Sequence, residues 1–115
     1  MSSKLTRLLG LGLRAGNVVV GVAGVRAGLQ RGQVVCVVLA LDAGERTLEK
    51  VGRLAEAKQI PVLRGPAAME LGTGLGRPPV QAVGVTDPAL ARGLIADSQI
   101  ADSQERGVSG NDADS

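Results

Sequence analysis

Residues 10–16 read GLGLRAG and run without a break into NVVVG at 17–21. The glycine spacing has the look of a dinucleotide-binding loop. Such a loop needs a strand before it and a helix after it, so that a pyrophosphate meets the helix N-terminal amides. Here the order is reversed. Leu5, Leu8, Leu9 and Leu13 recur three and four apart, which predicts a helix from about Lys4 with Ser2-Ser3 as its cap. Gly16 suits a left-handed stop, and Val18–Val20 reads as a short strand. Gly10 and Gly12 are therefore small residues that let a helix pack closely. The chain opens helix, then strand.

The same alternation continues outward from this stretch. Val22–Arg31 predicts a second helix, closed by Gly32. The run QVVCVVLAL at 33–41 is continuous and rich in β-branched residues, the pattern of a strand buried on both faces. GERTLEKVGRLAEAKQ at 44–59 places Leu48, Val51, Leu54 and Ala55 on one helical face. Pro61 ends that helix, and IPVLRG is a short strand. Pro66 suits the first turn of a fourth helix, which passes through Met69-Glu70-Leu71 and closes in GTGLG at 72–76. Val80–Val85 reads as the last strand. Asp87-Pro88 opens a last helix, to about Ala96. Alternating helix and strand through nine elements implies an α/β fold, a mixed sheet between helical layers.

Composition narrows the chemistry. The 115 residues contain no His and no Phe, Tyr or Trp. A histidine base or metal ligand and an aromatic base-stacking platform are thereby excluded. The single cysteine, Cys36, lies in an aliphatic strand and reads as a small buried hydrophobe. Residues 1–14 alternate apolar and basic positions, unlike a signal peptide, and the longest apolar run, Val34–Leu41, is too short for a membrane span. The expectation is a soluble cytoplasmic domain with no membrane contact.

Charge is uneven along the chain. Residues 1–97 carry 12 Lys+Arg against 7 Asp+Glu, whereas 98–115 carry one Arg against four acids. A basic, Arg-rich body points to a phosphate-bearing partner. The repeat ADSQ at 96–99 and 101–104 marks a small, polar, acidic tail expected to be disordered. Asp42 and Asp87 fall at strand C-termini, where open α/β sheets bind ligands. With no base, nucleophile or further ligand nearby they read as helix caps, Asp87 of the last helix and Asp42 of the third. No metal or cofactor is expected, and the domain reads as non-enzymatic.

Taken together, LLGLGLRAGNVVVG, GLQRGQVVCVVLALDAGERT, IPVL…ELGTGLG and AVGVTD resemble bacterial members of the kink-turn-binding ribosomal protein superfamily (ribosomal L-seven-Ae, L-thirty-e and Gadd-forty-five). The resemblance covers about residues 5–96. It implies a three-layer α-β-α sandwich around a four-stranded mixed sheet, and binding of a kinked RNA stem-loop. The implied surfaces are the start of the second helix and an apolar loop before the last strand. Family members commonly carry Gly-x-Asn-Glu-x-x-Lys at the former. Gly21 keeps the glycine, while the polar positions fall on Ala23, Gly24 and Ala27, with Val22 between.

The loop corresponds to Arg77-Pro78-Pro79-Val80. What the resemblance leaves is shape and backbone binding, with Arg26, Arg31, Arg77 and Arg14 meeting phosphates around Gly21 and the Pro-Pro loop. The expected partner is RNA, ribosomal or otherwise structured, with the ribosome included, and the expected state is a monomer. The small residues at 23, 24 and 27 leave open a second reading, a protein-interaction module on the same fold.

Overall fold

The leucine-spaced helix α1 spans Lys4–Arg14 and buries Leu9 and Gly12. It is the first element of a computed structural model that describes residues 4–98. Gly16 follows at φ 80°, turning the chain into β1, Val18–Val20. The glycines behave as close-packing sites. A Cβ on Gly12 would lie 2.5 Å from Leu90 Cδ2 and 2.8 Å from Val18 Cγ2.

Helix α2, Val22–Gln30, leads through Gly32 (φ 73°) to β2, Cys36–Leu39. The third helix, α3, runs through residues 45–57. It begins as α-helix (Glu45–Thr47), passes through a π-helical stretch (Leu48–Gly52) and ends as α-helix (Arg53–Ala57). The wide central turn separates sequence from the uniform α-helix that the periodicity predicts, and its buried residues fall four apart at Thr47, Val51 and Ala55. The helix is ended by Gln59 at φ 59°, a left-handed residue ahead of Pro61.

Strand β3, Val62–Arg64, is followed by α4, Ala68–Leu75, and Gly76 closes α4 in the left-handed region at φ 70°. Pro66 lies before that helix rather than in its first turn, because Ala67 is the N-cap. Strand β4, Ala82–Val85, precedes the last helix, α5, which runs through residues 88–98. Asp87 Oδ2 accepts the Leu90 N–H at 2.9 Å, the cap expected of it. The α5 helix continues two residues past its expected end, and Asp97 there pairs with Lys4 at 3.7 Å. The expected Ser2-Ser3 cap and the acidic tail from residue 99 onward lie outside the described residues.

The sheet has the order β1-β4-β2-β3, with β4 antiparallel to both β1 and β2, and β3 parallel to β2. Strand β2 is buried on both faces because successive side chains enter opposite layers. Cys36, Val38 and Ala40 face Leu9, Leu71 and Leu94 of α1, α4 and α5, whereas Val37 and Leu39 face Val25, Leu29, Val51 and Ala55 of α2 and α3. This is the three-layer α-β-α sandwich. The core is aliphatic, and Gly84 lets α2 come close: a Cβ there would meet Val34 and Val25 at 3.0–3.4 Å. No helix among the described residues is long and apolar enough to cross a membrane.

Candidate functional site

The end of the sandwich at which β1 and β2 terminate gathers the starts of α2, α3 and α4. Gly21 joins β1 to α2 at φ 102° and ψ 153°, a conformation open in practice only to glycine. Its N–H donates to Ala82 O at 2.9 Å, and nothing lies within 4 Å of where a Cβ would stand. Glycine is therefore required here by the backbone, and the space above it is left open to a ligand.

Helix α2 starts without a side-chain cap and without an acidic residue in its first turn. The first intrahelical bond runs from Val25 N–H to Gly21 O, so the amides of Val22, Ala23 and Gly24 have no acceptor among the described residues. These amides and the helix dipole make a positive terminus suited to an anion.

Facing this terminus is the 77–80 loop. Gly21, Val22, Arg77, Pro78, Pro79 and Val80 line one shallow concavity of about 410 Å³ with Thr47 and Gln81. The loop is held rigidly from beneath. Val80 is buried and its N–H donates to Ala68 O at 3.0 Å, while Arg77 N–H donates to Gly72 O at 2.7 Å. Arg77, Pro78 and Pro79 are left exposed.

Two polar residues of this concavity escaped the sequence reading. Gln81 Oε1 accepts the Thr47 hydroxyl at 2.6 Å and the Gly44 N–H at 3.3 Å. The pair ties the approach to β4 to the start of α3, and it explains how the Thr47 hydroxyl is tolerated at 7% exposure. The available signal was a glutamine interrupting an aliphatic run, which carries no information about its partner.

The expected cations do not all converge. Arg31 caps the far end of α2, roughly 15 Å along the axis from Gly21 at 1.5 Å per residue. Arg14 ends α1 beside the turn into the start of β1, at the opposite end of the sheet from Gly21. Arg26 lies one turn into α2, where its Nη1 donates to Lys50 O at 2.9 Å, tying α2 to α3. Gly24 faces the sheet, and a Cβ there would lie 3.2 Å from Val19 Cγ1. Ala23 is exposed and Ala27 partly so. Arg77 is thus the cation that the fold itself brings to the Gly21 concavity.

Asp42 corrects a further expectation. It caps α4 rather than the third helix: its Oδ1 accepts the Ala68 N–H at 2.8 Å. The third helix instead starts from Gly44, without a side-chain cap.

A four-stranded mixed sheet between helical layers, with an uncapped helix start and a proline loop sharing one end, defines an α-β-α sandwich domain. The chain belongs to the Ribosomal protein L7Ae/L30e/S12e/Gadd45 family, whose profile matches residues 3–95. It is similar to a protein with unknown function from Bacillus halodurans C, with 35% identity over 83% of this chain and 96% of that one and a TM-score of 0.77. The Giardia lamblia 15.5kD RNA binding protein shares the fold at 16% identity, with 87% and 92% of the two chains covered and a TM-score of 0.68. A comparison with curated proteins produced no match.

Proposed function

We propose that this domain is a non-enzymatic RNA-binding protein that takes structured RNA, of kink-turn or ribosomal type, on the Gly21 end of the sandwich. The observation that carries the reading is the shared concavity of the uncapped α2 start and the Arg77-Pro78-Pro79-Val80 loop. Family membership and the RNA-binding relative support it.

In this reading a phosphate sits against the Val22, Ala23 and Gly24 amides, close to the bare Gly21 backbone. Arg77 neutralises a neighbouring phosphate, and Pro78 and Pro79 pack on a sugar or an unstacked base. Such contacts orient RNA through shape and charge without reading base edges. The engagement of Asp42 and Asp87 as helix caps supports the non-enzymatic assignment. We place the protein in the cytoplasm as a monomer, with residues 1–97 as the binding body and the acidic 98–115 segment competing with RNA for the basic surface. Deleting that segment is then expected to tighten binding.

The test compares a kink-turn stem-loop with a straight duplex at two salt concentrations. Preference for the stem-loop, weakening steeply with salt, supports the proposal. Failure to bind either at low salt overturns it.

The small Ala23 and Gly24 at the α2 start favour a second reading, a protein-interaction module that has lost RNA recognition. Partners retained from cell extract after nuclease treatment favour this reading, and partners lost with the RNA favour the first.

A further inference from the structure

A second surface lies on the other side of α3, and its chemistry is opposite to that of the basic body. Glu45, Glu49 and Glu56 line one groove of about 650 Å³ along the outer face of α3, with Arg53 as the only basic residue lining it. None of the three carboxylates has an ion-pair partner among the described residues. Arg46 and Lys50 project from α3 outside this groove, and Lys50 O receives the Arg26 guanidinium from α2. Helix α3 therefore separates an acidic flank from a basic one, within a body whose residues 1–97 carry five more cations than acids.

The groove floor is apolar, formed by Leu48, Ile60 and Val62, and its far wall is the sheet edge. Strand β3 is that edge, paired only with β2. Pro61 O accepts Val37 N–H at 2.9 Å and Gly65 N–H donates to Leu39 O at 2.8 Å. In a parallel ladder the bonded residue between them is Leu63, so the N–H and C=O groups of Val62 and Arg64 point off the sheet. Val62 is also 37% exposed, high for a strand valine.

We propose that this edge accepts an extended basic peptide segment of a partner protein, added as a fifth strand beside β3. Alternate residues of an added strand face α3. A Lys or Arg there lays its aliphatic stem over Leu48, Ile60 and Val62 and brings its charge to Glu49 and Glu56. The intervening side chains fall on the Leu63 side of the sheet, which suits β-branched residues. Arg64, an exposed charged residue on the edge, blunts it against indiscriminate pairing, so charge selects the strand that binds. The surface is separate from the Gly21 concavity, and the proposal stands or falls independently of RNA binding.

The test uses the full chain and a blocked hexapeptide of alternating Lys and Val, with alternating Glu and Val as control. Expected results are saturable binding of the Lys peptide alone and slowed hydrogen exchange at the Val62 and Arg64 amides. The E49Q/E56Q variant, which keeps side-chain volume, is expected to weaken binding tenfold or more without changing the circular dichroism spectrum or RNA affinity. V62P, which removes an outward N–H and no ladder bond, is expected to weaken it similarly. The proposal is overturned by no binding, by binding that leaves both amides unprotected, or by full affinity in E49Q/E56Q. Protection that appears without peptide and grows with protein concentration also overturns it, since a second copy then occupies the edge.

Discussion

The Asp42 carboxylate accepts the backbone N–H of Ala68 at 2.8 Å, so the turn after β2 caps a helix that starts 26 residues later. The bond secures α4, whose Ala68 carbonyl in turn accepts Val80 N–H at the base of the proline loop. Asp42→Ala is expected to cost about 1 kcal/mol, the usual value of a lost N-cap acceptor. Thermal unfolding should fall by about 4–8 °C for a domain of this size. Asp42→Asn keeps an acceptor oxygen and is expected to lose less than half as much.

Gly72 couples this helix to the candidate site. A Cβ at Gly72 would meet Pro78 O, with Pro78 C at 2.7 Å and Arg77 O at 2.8 Å, all backbone atoms that cannot rotate away. Gly72→Ala is expected to destabilise by about 1–3 kcal/mol, as overpacking does, and to displace the loop. Chemical denaturation measures the first effect. Weakened RNA binding at a temperature where the variant remains folded measures the second.

Gln59 is the one described non-glycine residue at positive φ, 59°. Gln59→Gly relieves a left-handed strain of about 1 kcal/mol at the end of α3. The variant is expected to be more stable than the parent in urea unfolding, despite the entropy of an added glycine. An unchanged or lower midpoint contradicts this.

Arg77 and Arg31 separate a site cation from a distant one. Arg77→Ala is expected to weaken RNA binding at all sequences alike and to lower the slope of log affinity against log salt by about 1. Arg31→Ala, at the far end of α2, is expected to leave both nearly unchanged. Equal losses in the two variants contradict the location of the interface.

Burial pushes the Cys36 thiol up from 9.0 to about 11, against a weaker opposing effect of a backbone hydrogen bond with Val37. The folded state holds its proton more tightly than the unfolded chain. Its stability is therefore fully present below pH 9, declines as pH rises from 9, and levels off above about 11. The Cys36→Ala variant isolates this contribution, since its stability should fall less than the parent's over that interval. Thiol alkylation near pH 8 is expected only when the protein opens.

Much of the fold was legible in the chain. Glycine stops at Gly16, Gly32 and Gly76 and the Asp87 cap act within a turn of their own positions, and each is found as read. The run around Cys36 declared a strand buried on both faces, since no face of it was polar. The π turn in α3 was hidden, because Leu48 and Val51 fit an ordinary helical period equally well. The candidate site was half legible. Gly21 and the Pro78-Pro79 loop carry backbone constraints visible in the letters, whereas the destinations of the arginines do not.

What the sequence determined by itself was therefore local: the element order, the turns and the apolar faces, all governed by φ/ψ limits and periodicity over a few residues. Tertiary structure alone decided the strand order β1-β4-β2-β3, the reach of Asp42 to Ala68, and the separation of Arg77 from Arg31 and Arg14. These depend on which apolar faces cover one another, a choice settled by mutual packing across the sheet. Helix α2 shows why. It opens at Gly21 beside the proline loop, and its rigid axis carries Arg31 to the other end of the molecule.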